Sequence, residues 1–156
     1  MIRPAAEADV DQIRAIWNAI IRETTITFTD REKTTEEITE MIHSAPVLVA
    51  EEKSTLLGFA TYGPFRSGPG YRFTAEHSIY LRSDVKGRGM GCAMLTQLIS
   101  HARGSGITTF VAGIAGDNHT ALKFHEKMGF KVAGRLSGVG FKFGQRQDLV
   151  LMQKDL

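Results

Sequence analysis

The sequence predicts an α+β fold in which helices flank a mixed, largely antiparallel sheet. Three observations carry that expectation. Strand-like and helix-like apolar periodicities alternate along the chain. The apolar runs Val47–Glu51 and Leu56–Tyr62 are separated by Lys53-Ser54, short enough for a hairpin and so for antiparallel pairing. The run Asp84-Val85-Lys86-Gly87-Arg88-Gly89-Met90-Gly91-Cys92-Ala93-Met94-Leu95 joins a strand to a helix through three alternating glycines.

Each element follows in order. Ile2 to Pro4 reads as a short strand, and Val10, Ile13, Ile16, Trp17 and Ile20 recur at helical spacing, which predicts a helix over about residues 7–23. Thr24 to Asp30 is irregular and contains Phe28. Thr34 and Glu37 form a capping box for a second helix with Ile38, Met41 and Ile42 on one side. After the hairpin, residues 63–72 hold three Gly and two Pro and read as a loop. Phe73 to Leu81 is the next strand, and its two-residue period puts Glu76, Ser78 and Tyr80 on one face. In the following helix Met90, Met94, Leu98 and Ala102 share a face. Thr108 to Gly113 reads as a buried strand. Asn118 caps a last helix with Ala121, Leu122, Phe124 and His125 on its apolar side, and Gly129 ends it. Phe130 to Ala133 and Gln147 to Gln153 supply the final strand pair. Residues 1–156 read as one domain without repeat, low-complexity tract or linker.

Composition narrows the function classes. A chain of 156 residues, 42% hydrophobic and 23% charged, is a soluble globular protein by composition. At that length it buries roughly 68–70% of its unfolded surface. Its 19 basic and 17 acidic residues are interspersed and give a net charge of +2, so nucleic acid is not an expected partner. The acidic N-terminal stretch and the absence of any run of about 18 apolar residues argue against a signal, a membrane span or a membrane partner, and the expected location is cytoplasmic. Cys92 stands alone, so no internal disulfide forms. The histidines and this cysteine lack metal-ligand spacing, and His125-Glu126-Lys127-Met128-Gly129 lacks the second His of a zinc helix; no metal is expected.

The glycine run sits at a helix N-terminus, where free N–H groups and a dipole end of roughly +0.5 charge can hold a phosphate. It is no Walker loop, because it ends Gly-Cys-Ala, and no dinucleotide fingerprint, because the third glycine is missing. Taken alone, it also fits a turn that merely starts a helix. Joined to the later segment Asn118-His119-Thr120-Ala121-Leu122-Lys123-Phe124-His125-Glu126-Lys127-Met128-Gly129-Phe130, it resembles the GCN5-related N-acetyltransferase superfamily. That superfamily's acetyl-CoA loop runs Arg/Gln-x-x-Gly-x-Gly/Ala, with Lys86 here in the Arg/Gln place. Tyr62-Gly63-Pro64-Phe65-Arg66, Thr74-Ala75-Glu76-His77-Ser78-Ile79-Tyr80-Leu81, and Val139-Gly140-Phe141-Lys142-Phe143-Gly144 followed by Asp148 are similar to the phosphinothricin and methionine sulfoximine/sulfone acetyltransferases. His125 occupies the place where most of the superfamily has tyrosine and this branch has histidine.

The resemblance implies a sheet splayed near its centre with acetyl-CoA in the split. It implies direct acetyl transfer to the α-amine of a small amino-acid-like acceptor, and a homodimer. Glu76 would be the base, although as a bare residue it also reads as a strand-end carboxylate paired with a surface lysine. Backbone N–H groups around Ile79, Tyr80 and Leu81 would polarise the acetyl carbonyl. Lys86, Gly87, Arg88, Gly89, Met90, Gly91 and Cys92, with Asn118, would hold the cofactor. His125 would handle the thiolate proton as acid, second base or positioning group. Arg66, and after it Arg72, would meet the acceptor carboxylate, with Phe28, His77 and Ser78 nearby; Phe28 equally reads as a surface plug. Lys142 and Asp148 would be structural or at a dimer interface. Two rivals remain open at this point: acetylation of a protein N-terminus or another small amine, and a CoA-binding domain without chemistry.

Overall fold

The computed structural model describes residues Met1–Leu156. In chain order it has β1 (Ile2–Pro4), α1 (Val10–Glu23), α2 (Thr35–Ser44), β2 (Val47–Glu52), β3 (Thr55–Pro64), β4 (Thr74–Leu81), α3 (Met90–Gly104), β5 (Thr109–Ala115), α4 (His119–Lys127), β6 (Lys131–Lys142) and β7 (Gln145–Asp155). The strands make one sheet in the order β1-β2-β3-β4-β5-β7-β6. Every neighbouring pair is antiparallel except β4 and β5. No helix is long and apolar enough to cross a membrane.

The first helix begins one turn later than its periodicity suggests. Glu7–Asp9 forms a 3₁₀ turn in which Asp9 accepts from Ala6 N–H and from both terminal nitrogens of Arg3. The capping box forms as expected: Thr34 Oγ1 accepts from Glu37 N–H and the Glu37 carboxylate accepts from Thr34 N–H.

The larger difference is the last hairpin. β6 and β7 reach well beyond the expected strands and meet at a turn through Phe143 and Gly144, with φ of 52° and 74°. Register shifts between Val132 and Gly134 and between Leu136 and Gly140 break the alternation of apolar residues. That broken period conceals the strand from a two-residue reading.

The sheet separates two cores. Under α1 and α2 lie Ile13, Ile16, Ile20, Ile38, Val49 and Phe59. Under α3 and α4 lie Met94, Leu95, Leu98, Phe110, Ile114 and Met152. Ile38 is wholly buried, a burial that contributes about 1.5–3 kcal/mol. Both faces of β4 are used. Tyr80 packs on Trp17 and Phe59 toward α1, and His77 packs on Phe110 and Phe130 toward α4.

The Lys53-Ser54 turn has φ of 49° and 64°, so both central residues are left-handed, as a type I′ hairpin requires, yet neither is Gly or Asn. Replacing Lys53→Asn and Ser54→Gly together relieves this and raises stability by about 1 kcal/mol. A urea unfolding midpoint that does not rise, at unchanged slope, would show that the turn is not strained.

Candidate active site

The parallel β4–β5 ladder is short: Thr74, Ala75 and Glu76 pair with Thr109, Phe110 and Val111, and no further. β4 continues to Leu81 beside β3, and β5 to Ala115 beside β7, so the sheet opens just past Glu76. The ladder's alternation says which backbone groups face the opening. Phe73 O accepts from the N–H groups of Thr108 and Thr109, whereas Thr74 O accepts from Phe65 N–H on the β3 side. With β3–β4 register unbroken, the backbone groups of Ile79 and Leu81 face the split and those of Tyr80 face β3. The expectation for Tyr80 is corrected accordingly: its backbone belongs to the β3 ladder and its ring to the α1 core.

At the far end of β4 the chain enters the glycine loop. Gly87 and Gly89 have φ of 80° and 76° with open space where a Cβ would stand, so backbone conformation demands glycine there. Gly91 has a different reason: a Cβ would lie 3.3 Å from the Phe124 ring, so this glycine lets α3 sit against α4. The first helical bond runs from Ala93 N–H to Gly89 O, which leaves the N–H groups of Gly89, Met90, Gly91 and Cys92 without helical acceptors. Lys86 is exposed beside them, while Arg88 is tied to Glu52 at 2.8 Å. Asn118 spends its side-chain oxygen capping α4 at Ala121 N–H.

Glu76 lies on the face opposite the α3 and α4 core, at the point where the strands part. Its Oε1 stands over Gly113 of β5, 3.1 Å from where a Cβ there would be. Although the side chain is solvent-accessible, the protein wall around it desolvates the carboxyl and raises its pKa, with no hydrogen bond or charge acting in the other direction. The surface-lysine reading is therefore not what the structure shows. Ser78 shares this face.

His77, expected beside Glu76 and Ser78, lies on the opposite face of β4 from both, because alternation sends residue 77 opposite to 76 and 78. It is buried with His125 among Phe110, Phe124 and Phe130, the two Nε2 atoms 3.1 Å apart. His125 Nδ1 lies 2.8 Å from Ala121 O. A carbonyl only accepts, so Nδ1 carries the proton and neutral His125 receives one from His77 Nε2. His77 Nδ1 makes no well-formed hydrogen bond, although the Val111 backbone lies close enough to favour the protonated ring slightly. Desolvation, reinforced by the neighbouring His125, pulls the His77 pKa down to about 3, and desolvation also lowers that of His125. Both rings are neutral at pH 7.

Arg66 and Arg72 line one cavity of about 470 Å³ with Tyr71, Thr74 and Gly63. Gly63 is the register partner of Glu76, but Tyr62, Ala75 and Ile107, which also line the cavity, belong to the α3 side of the sheet, so the cavity and the carboxylate lie on opposite faces. Arg72 donates to Pro69 O at 2.7 Å and lies over Phe73, while Arg66 stacks over Phe65 and Tyr71 without a hydrogen bond. Phe28 rests on Gly140, where any Cβ would strike its ring. Asp148 binds Arg135 and Gly138 N–H and so fastens the bulged part of β6.

A family profile described as "Acetyltransferase (GNAT) domain" matches residues 2–151. The chain belongs to the GNAT acetyltransferase family. It is 37% identical to the L-methionine sulfoximine/L-methionine sulfone acetyltransferase of Pseudomonas aeruginosa, over 99% of this chain and 94% of that one. It is 36% identical to the phosphinothricin N-acetyltransferase of Alcaligenes faecalis, over 99% of this chain and 82% of that one. A crystal structure of the phosphinothricin acetyltransferase of Sinorhizobium meliloti in complex with acetyl-CoA superposes with a TM-score of 0.95 at 28% identity, covering 100% of this chain and 88% of that one. The protein is an acetyl-CoA-dependent N-acetyltransferase.

Sequence reasoning missed two pairings around the split in the sheet. Gly113 makes room for the Glu76 carboxylate, and a lone glycine inside an apolar strand is the signal that points to such a close approach. The His77–His125 pair joins residues 48 apart and leaves no mark in local spacing. The pair makes the fold acid-sensitive. Unfolded His77 titrates near 6.5 and folded His77 at about 3, so below pH 6.5 only the unfolded chain takes the proton, and stability is lost as pH falls. Between pH 7 and 5 the loss from this one group is about 2 kcal/mol. Urea unfolding of wild type and His77→Gln at pH 7 and pH 5 checks this: wild type declines more steeply, and parallel declines would remove the effect.

Proposed function

We propose that this acetyltransferase moves the acetyl group of acetyl-CoA directly to the α-amine of a small amino acid with a tetrahedral sulfur or phosphorus group on its side chain. Methionine sulfoximine, methionine sulfone and phosphinothricin are the acceptor types. The observation that carries the reading is the unpaired Glu76 carboxylate at the point where β4 and β5 part. The names of the two curated relatives support the acceptor class.

In this reading the loop from Lys86 to Cys92 receives the pyrophosphate on its free N–H groups, and Asn118 borders the same cleft. Ile79 or Leu81 N–H donates to the acetyl oxygen as charge builds on it. Glu76 accepts a proton from the acceptor ammonium, and its raised pKa makes it a stronger base than an ordinary surface carboxylate. The freed amine bonds to the carbonyl carbon as the carbon–sulfur bond breaks, and the departing thiolate takes up the proton that the nitrogen gives up on becoming an amide. His125 acts as a positioning group, because both its ring nitrogens are engaged and burial keeps it neutral. Arg66 meets the acceptor carboxylate, Phe28 borders the acceptor, and Ser78 lies beside Glu76. A homodimer through β6 accompanies this reading, supported by the exposed Val132, Val139, Phe141 and Phe143. A cytoplasmic setting accompanies it too.

Glu76→Gln keeps both substrates bound and lowers the single-turnover rate by about 10²–10⁴, the contribution of a positioned general base. The deficit shrinks from pH 6 to pH 10 as more acceptor amine is already neutral. Equal rates at neutral pH exclude Glu76 as the base.

Arg66→Ala raises the acceptor KM and leaves the acetyl-CoA KM unchanged, since the lost guanidinium meets only the carboxylate. Steady-state kinetics with L-methionine sulfone and acetyl-CoA both varied reads this out. The same defect in Arg72→Ala but not in Arg66→Ala assigns the role to Arg72.

A further inference from the structure

Lys142 is a buried cation that the acetyl-transfer reading does not use. Its side chain comes from the end of β6 and is only 2% exposed. Its Nζ donates to Thr24 O at 2.6 Å and to Thr27 O at 2.7 Å, over 118 and 115 residues of chain. Burial lowers its pKa, and Asp30 is the one charge that acts to hold the proton. A well-packed apolar side chain would be the less demanding way to fill such a space. The cation is explained by what it grips, which is two carbonyls of one irregular linker.

Thr27 is the residue before Phe28, and Thr24 lies earlier in the linker. The linker between α1 and α2 has local ties at its ends: Thr24 Oγ1 to Ile20 O and to Ile26 N–H, and Asn18 to both backbone groups of Lys33. Lys142 is its tie to the far edge of the sheet, strand β6. The Phe28 ring rests on Gly140, two residues before Lys142 on the same face of β6. Gly140 pairs with Gln147 of β7, and Leu149, on the same face, flanks Gly113 together with the Glu76 carboxylate. Phe28 and Glu76 therefore stand over one continuous face of the sheet.

We propose that Lys142 is a positioning residue for acceptor specificity: by clamping Thr24 and Thr27 it holds the Phe28 ring on Gly140 as the wall against which the acceptor side chain packs. The inference rests on the reading of the Glu76 face as the acceptor side. Lys142 touches neither substrate, so it acts through Phe28, and it governs acceptor binding without acting on acetyl-CoA.

The test compares Lys142→Met, Phe28→Ala and the double variant, with acetyl-CoA and L-methionine sulfone as substrates, together with hydrogen exchange across residues 24–30. Lys142→Met accelerates exchange in that segment and raises the acceptor KM about tenfold, the scale of a disturbed apolar pocket. The acetyl-CoA KM stays within about twofold of wild type. In the Phe28→Ala background Lys142→Met adds no further rise, because the two act in series. Lys142→Arg, which can donate to both carbonyls, restores the wild-type KM. Gly140→Ala, which displaces the ring without touching the clamp, reproduces the KM split even where Lys142→Met fails to fold. Additive effects of Lys142→Met and Phe28→Ala, or equal rises for both substrates, overturn the proposal. Unchanged exchange at residues 24–30 removes the clamp itself. Wild-type enzyme that acetylates no small amino acid overturns the acceptor reading, and the exchange result still decides the clamp separately.

Discussion

The three-residue parallel ladder between β4 and β5 is the constraint on which the site depends. Had the two strands stayed zipped to their ends, the backbone groups of Ile79 and Leu81 would face a neighbouring strand instead of a cleft. Beneath the parting strands lie the rings of His77, Phe110, His125 and Phe130, with centroids 5.1–5.3 Å apart between contacting pairs. One ring comes from each strand and the others from α4 and the segment after it, so the split has a packed floor. Because β4 leads through one 3₁₀ turn into the glycine loop, the split lies close to the free N–H groups at the start of α3. One thioester and its pyrophosphate can then be held along a single stretch of backbone.

The charges divide according to whether a partner was supplied. Asp9, Asp84 and Asp148 have lowered pKa values, led by hydrogen bonds from Arg3, Arg82 and Gly138 N–H respectively. Such carboxylates hold pieces of the fold together and resist protonation. Glu76 alone among the shifted carboxylates moves upward, because it has walls and no partner. A carboxylate left in that state is a proton acceptor that nothing in the chain competes for, and this separates it from the ion-paired acids by physics rather than by position.

Much of the fold was legible because its signals were local. The Thr34–Glu37 box, the Asn118 cap and the strand-to-helix glycine run are patterns that survive into the structure unchanged. The β6–β7 hairpin was half hidden, since two register shifts and three glycines erase its alternation. Within the site, Glu76 and Ser78 shared a face as the two-residue period required, and the same rule should have excluded His77 and turned Tyr80 toward α1. What no local rule could supply were partnerships between distant segments: Glu76 over Gly113, His77 against His125, and Lys142 with Thr24 and Thr27. Arg88 illustrates the limit from the other side, being basic and in the loop yet held by Glu52 of the first hairpin.

The glycines show how such distant partnerships are written into a chain. Gly87 and Gly89 are required by backbone conformation, so their meaning stays inside the loop. Gly91, Gly113 and Gly140 have no positive φ; each is a missing side chain into which something from elsewhere fits, namely Phe124, the Glu76 carboxylate and the Phe28 ring. A cleft assembled this way owes its shape as much to absent atoms as to present ones. An alanine at any of the three would leave hydrophobic pattern and strand propensity nearly intact while moving a ring or a carboxylate by the width of a methyl group. Positions of that kind bear on the shape of the cleft more than on the secondary structure around it.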